Sequence, residues 1–151
     1  MSIWIALHVL AAVIWVGGMF FAYQCMRPAV GQAVPPDQRP ALWHPTLAYF
    51  FRWVWAAVII LPVSGYMMIF RYLGGMDQAG WHIHGMQALG ILMILLFLHV
   101  FFAPYRRLGQ AVASGDTQDG LHRISQIRRF VGINLILGLV VVVLGAAGRY
   151  L

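Results

Sequence analysis

Four apolar stretches dominate this chain, and each is long enough to cross a hydrocarbon core, which takes about 20 residues at a rise of about 1.5 Å per residue. They run from Ile3 to Gln24, from Trp53 to Phe70 with an upstream extension from His44, from His84 to Phe102, and from Phe130 to Gly148. The composition leaves no room for a soluble alternative. The chain is 62% hydrophobic and 9% charged, against roughly 25% charged in a soluble domain. The fold expected is all-α: a single integral membrane domain over residues 1–151, built as an up-down-up-down four-helix bundle with spans at about 3–24, 45–71, 82–104 and 130–149.

The connections carry the charge. Pro28, Pro35, Pro36 and Pro40 crowd the first one, near Met26 to Trp43, and are expected to exclude a continuous helix there. The second, Tyr72 to Trp81, is short and glycine-rich, and the third, Tyr105 to Arg129, is polar, with Ser114-Gly115-Asp116-Thr117 as its turn. Inside the second span, Pro62 followed by Ser64-Gly65 predicts a kink.

Arginines sort the connections by side. Arg27, Arg39, Arg52, Arg106, Arg107, Arg123, Arg128 and Arg129 belong to the first and third, whereas Arg71 and Arg149 belong to the second and the C-terminus. By the positive-inside rule, eight against two predicts both termini on the outer, periplasmic side of a bacterial-type inner membrane. The net charge of +6 is thereby a matter of topology, and no nucleic-acid partner is expected. Met1-Ser2-Ile3-Trp4 lacks the basic region of a cleavable signal, so the first helix is expected to remain in the mature protein. The single Cys25 has no partner within the chain for a disulfide.

Within these spans the histidines are the groups that need explaining. An ionisable side chain inside a bilayer is a functional candidate by default, and an imidazole there is expected to be neutral, the form that binds metals and haem iron. His8 lies near the outer end of the first span, and His84 enters the third span from the same side, so the two can share a level. His82 sits about 200° around the helix from His84, so at most one of them points into the bundle. His99 is 15 residues beyond His84, which turns the helix by about 60° beyond whole turns and moves roughly 22 Å along it. It therefore belongs to the inner half, where His44 is its candidate partner. His122 falls in a polar connection and is expected to be solvated.

Gln87 and Asn134 read as interhelical amide glue, and Gly17-Gly18, Gly85, Gly90, Gly132, Gly138 and Gly145 as points of close helix approach or room beside a flat cofactor. Arg52 is a candidate counter-charge for a haem propionate. No CxxCH is present, so any haem would be non-covalent b-type. Copper is the alternative, because imidazole and thioether both suit it and Met67, Met68, Met76, Met86 and Met93 cluster around the second and third spans. Walker, GxSxG and HExxH signatures are absent.

Several short motifs resemble the copper resistance protein D (CopD) domain and the related HemJ-type protoporphyrinogen oxidases, which are small four-span membrane proteins. The resemblance runs through Leu7-His8, Trp15-Val16-Gly17-Gly18-Met19-Phe20, Arg52 with Pro62 and Gly65, Leu98-His99, and Arg106-Arg107 with the basic third connection. It implies a functional role for His8, b-type haem on the HemJ side, and copper uptake or homeostasis on the CopD side. HemJ-type proteins also carry a lysine after a histidine in the third helix; this chain has no lysine, and Gln87 or Ala88 occupies that neighbourhood.

The leading expectation is a b-type haem protein with an electron-transfer or oxidoreductase role, served by an unidentified redox partner. His8, His84, His99, His44 and Arg52 are the candidate haem-binding residues, and His8, His84 and His99 the candidate metal ligands. The runner-up is a copper-binding or copper-transport protein of the CopD type. Whether His44 and His82 are ligands stays open, as does assembly into a homo-oligomer. A third expectation is a structural subunit whose polar groups only join helices.

Overall fold

Each apolar stretch forms part of one long helical rod in the computed structural model, which covers Met1–Leu151. The rods are Ser2–Ala33, Pro36–Tyr72, Trp81–Ser114 and Thr117–Tyr150, and all four are long and apolar enough to cross a membrane. The surface agrees with that reading. Ile3, Val13, Phe21, Ile59, Leu95, Ile136 and Val143 all stand exposed on the outside of the bundle, where water would make them an aggregation liability and lipid makes them ordinary. The chain is a multi-pass membrane protein of the all-α, four-helix class.

The first rod comprises α1 (Ser2–Phe20), a π-helical stretch Phe21–Met26 and α2 (Arg27–Ala33). Here the structure corrects the expectation that prolines break the first connection throughout. Pro28 rides inside the rod, early in α2. A proline removes the hydrogen bond to the carbonyl four residues back, and the wider turn of the π-helix just before it accommodates that loss. The break comes at Val34-Pro35, after which a 3-10 turn (Pro36–Gln38) leads into α3 (Arg39–Tyr72), with Pro40 in its first turn where no N–H is needed. The third rod repeats the device: α4 (Trp81–Val100), a π-helical stretch Phe101–Tyr105 that contains Pro104, then α5 (Arg106–Ser114).

The polar third connection is mostly helix. α5 closes on Gly115, whose φ of 71° is the left-handed cap conformation, and α6 (Thr117–Ala147) opens on Asp116, whose side chain accepts a hydrogen bond from the Asp119 N–H at 3.1 Å. The turn thus lies where the sequence predicts it, and His122 is an exposed residue of α6.

α1 packs chiefly on α3, and α4 on α6. His8 of α1 meets Ser64 of α3, while a Cβ on Gly18 would overlap the Phe50 ring, so numbering rises along α1 as it falls along α3. On α6, Gly138 lets the helix approach α1 and α4 together, since a Cβ there would lie 2.9 Å from Val16 Cγ2 and 3.2 Å from Met93 Cε. The two amides do join helices. Gln87 donates to the Tyr66 hydroxyl at 2.6 Å and Asn134 to the Met93 carbonyl at 3.2 Å.

Midway along the bundle, Met19, Phe51, Val54, Phe97 and Leu135 are almost wholly buried. Phe51 and Trp55 meet Phe97 edge to face at 5.4 and 5.2 Å, the geometry the ring quadrupoles favour. This layer separates two cavities. One lies at the end of the bundle that holds α2, the start of α3 and the start of α6, which is rich in arginine. The other lies at the opposite end.

Candidate functional site

His8 enters the arginine-poor cavity already oriented. Its Nδ1 lies 2.8 Å from Ser64 Oγ, and Ser64 Oγ in turn lies 2.6 Å from the Ile60 carbonyl and 3.2 Å from that of Leu61. A carbonyl oxygen only accepts, so the single hydroxyl hydrogen of Ser64 belongs to that side of the network. The hydroxyl oxygen then accepts from Nδ1–H of His8. The assignment leaves Nε2 as the nitrogen with a free lone pair, in the tautomer suited to binding a metal. Gly65 lies beside the ring, where a Cβ would make ordinary van der Waals contact with His8 Cε1 at 3.4 Å.

The cavity has a volume of about 310 Å³ and lies among α1, α3, α4 and α6. Its lining includes His8, His82 and four methionines: Met1, Met68, Met86 and Met93. Gly65, Gly90 and Gly145 widen it, and Leu61, Ile69, Ile83 and Ile94 give it apolar walls. No Asp, Glu or Arg lines it. Besides the Gln87 amide and the Tyr66 hydroxyl, which hydrogen-bond each other, the donors available are two imidazoles and four thioethers, a soft set that suits Cu(I) and suits Mg²⁺ or Ca²⁺ poorly. Nowhere in the chain do three His, Cys, Asp or Glu side chains gather as a metal-binding group, so a metal held here would depend on methionine sulfur.

The remaining sequence candidates lie elsewhere. His84 is exposed and is not part of the cavity lining; of the pair 200° apart on α4, His82 is the one that faces inward. His82 is packed closely against the end of the fourth rod just beyond α6, where a Cβ on Gly148 would lie 2.5 Å from the His82 Cβ. His8 therefore shares a cavity lining with His82 and not with His84. His99 is exposed and lies edge to face on Phe130, with ring centroids 4.8 Å apart. His44 stacks on Tyr105 at 5.4 Å, and its Nε2 would lie 2.8 Å from a Cβ on Gly109. Each of these two histidines has its own aromatic partner, and neither is paired with the other. Arg52 is exposed, with its guanidinium 5.4 Å from the Tyr49 ring.

The sequence held a signal for His82. His82, Met86 and Gly90 are spaced i, i+4, i+8, and Met93 follows three residues later, which makes one stripe along α4. The methionines on this stripe distinguish the face of His82 from that of His84, which helical rotation alone leaves equivalent.

Fold and site together define a class: a small four-helix membrane protein with a cavity of soft donors near one end. The chain matches the family model for copper resistance protein D over residues 44–147, well over half its length, and it belongs to that CopD family. The matched range includes His44, His82, His84 and His99 but begins after α1, so His8 lies outside it. No curated protein and no solved structure matches the chain.

Proposed function

We propose that this protein handles copper as Cu(I), receiving or releasing the ion at the arginine-poor end through the cavity around His8 and His82. One observation carries the proposal: every side chain on the lining able to bind a transition metal well is an imidazole or a thioether, and no carboxylate competes. The ion is cargo. His8 offers Nε2, His82 a second imidazole, and Met68, Met86 and Met93 offer sulfur from α3 and α4. The arginine count supports an inner-membrane topology with this end outward, so copper would be met from the periplasmic side.

Haem b is the second reading. In its favour are the free Nε2 of His8 and the three glycines on the lining, which leave space beside a flat ring. The residues fit it less well than copper. His84, the expected second axial ligand, is outside the cavity, and a haem's two carboxylates would find no arginine on the lining. Arg52 sits over Tyr49 instead. No arrangement of side chains favours an electron-transfer or oxidoreductase role over simple binding.

Copper loading under reducing conditions, read by elemental analysis and by X-ray absorption at the copper edge, tests both readings. About one Cu(I) per chain with nitrogen and sulfur neighbours, lost in His8→Ala and reduced in His82→Ala, is the expected result. A Soret band in the purified protein that disappears in His8→Ala, with no copper bound, would replace copper by haem. Copper binding that survives both substitutions would refute the site.

A further inference from the structure

The second cavity, at the arginine-rich end, has no part in the copper proposal. It has a volume of about 240 Å³ and lies between the first helical rod, the start of α3 and α6. Three arginines reach it from three different helices, Arg27 from α2, Arg39 from α3 and Arg128 from α6, and no Asp or Glu lines it. The one ion pair in the chain, Arg123 with Asp119 at 3.2 Å, lies outside the lining.

Two of the three guanidiniums are held in place from behind. Arg39 donates from Nε to the Val34 carbonyl and from Nη2 to the Gly31 carbonyl, both at 3.0 Å, which ties down the link between α2 and α3. Arg27 donates from Nε to the Tyr23 carbonyl at 3.2 Å and lies 4.3 Å over the Tyr23 ring. Both Nη groups of Arg27 and one of Arg39 stay free, and Arg128 has no intramolecular hydrogen-bond partner at all. Below the arginines the walls are apolar, formed by Val30, Trp43, Leu47, Ile127 and Val131.

Like charges around one cavity repel, and an anion offsets that repulsion. The free donors are directed N–H groups, the kind that bind phosphate oxygens well. The apolar walls ask for hydrocarbon directly beneath that phosphate. We infer that this cavity is a binding site for an acidic phospholipid, with its headgroup phosphate on Arg27, Arg39 and Arg128 and the upper part of an acyl chain against Trp43 and Leu47. A soluble phosphate would satisfy the arginines and leave the apolar walls without a partner, which is why lipid is the occupant favoured.

Native mass spectrometry of the full-length, delipidated protein titrated with phosphatidylglycerol, with phosphatidylcholine, or with inorganic phosphate tests the inference. Phosphatidylglycerol is expected to bind at a defined stoichiometry and more tightly than phosphatidylcholine. Arg128→Gln and Arg27→Gln should each weaken it about fivefold, the effect of one basic residue near a charged lipid surface, and Arg149→Gln at the other end should not. Ser125→Glu, which adds a carboxylate to the lining while keeping all three arginines, should weaken it as well and covers the case in which an arginine variant does not fold. Equal binding of the two lipids, or indifference to all three lining substitutions, would overturn the inference. Displacement of the lipid by millimolar inorganic phosphate would also overturn it, in favour of a soluble phosphate ligand.

Discussion

Ser64 Oγ lies 2.8 Å from His8 Nδ1 and ties α3 to α1 at the edge of the copper-candidate cavity. Ser64 is 1% exposed, so its hydroxyl has no water to turn to, and it is held by the carbonyls of Ile60 and Leu61 on its own helix. The pair is an orienting hydrogen bond of the kind that sets the tautomer and direction of a ligating imidazole. Ser64→Ala keeps the packing and removes the acceptor, leaving the His8 ring free to rotate. Copper affinity should fall about 10- to 100-fold, while the helix content by circular dichroism stays unchanged. A Ser64→Ala protein that binds copper as tightly as the parent would show that His8 is not a ligand or needs no orienting partner.

The two histidines near the start of α4 should behave oppositely. His82 lines the cavity and His84 faces away from the bundle. His82→Ala is expected to weaken copper binding, and His84→Ala to leave it within about twofold, the ordinary range for an exposed substitution away from a site. Competition with a Cu(I)-specific chelator measures both on one scale. A larger loss from His84→Ala than from His82→Ala would reverse the assignment and restore the pairing of His8 with His84.

The helices themselves were legible in the sequence because a bilayer demands about 20 apolar residues per span and little else has that pattern. The links were less so. Proline chemistry predicts a lost hydrogen bond at Pro28, and that loss is real, but the sequence does not state that a π-helical stretch at Phe21–Met26 precedes it and lets the rod continue to Ala33. For the site, depth was readable and facing was not. His8 and His84 do sit toward the same end of the bundle, yet the face that His84 presents depends on where α4 begins at Trp81 and how it rotates against α6. The close approach of Gly148 to His82 records that rotation, and it is a contact between residues far apart in the chain.

Gly17 and Gly18 are adjacent and should respond differently to the same substitution. A Cβ on Gly18 would overlap the Phe50 ring of α3, whereas one on Gly17 would meet nothing within 4 Å. Gly18→Ala must push Phe50 or the helix crossing aside, an overpacking cost of about 1–3 kcal/mol. Gly17→Ala should be neutral or slightly stabilising, because alanine favours the helix more than glycine does. Thermal or chemical unfolding in one detergent orders the two; equal stability would mean that the α1–α3 crossing is looser than the structure shows.

Asn134 is 5% exposed and sits at the level of the buried layer between the two cavities. Its Nδ2 donates to the Met93 carbonyl at 3.2 Å, and its Oδ1 has no hydrogen-bond partner. The bond joins α6 to α4 beside a methionine that also lines the copper-candidate cavity. In hydrocarbon such interhelical bonds contribute about 0.6 kcal/mol on average and about 1.7 at most, and here the unpaired oxygen offsets part of the gain. Asn134→Leu removes the donor and the orphaned acceptor together, so its stability should stay within about 1 kcal/mol of the parent. Asn134→Asp at neutral pH either buries a carboxylate that has no donor and faces the Met93 carbonyl with an oxygen, or must take up a proton to keep one, so it should be the less stable of the two. Unfolding measured side by side on both variants decides the matter: an Asn134→Leu protein less stable than Asn134→Asp would mean that the hydrogen bond to the Met93 carbonyl contributes more than burying the polar group costs.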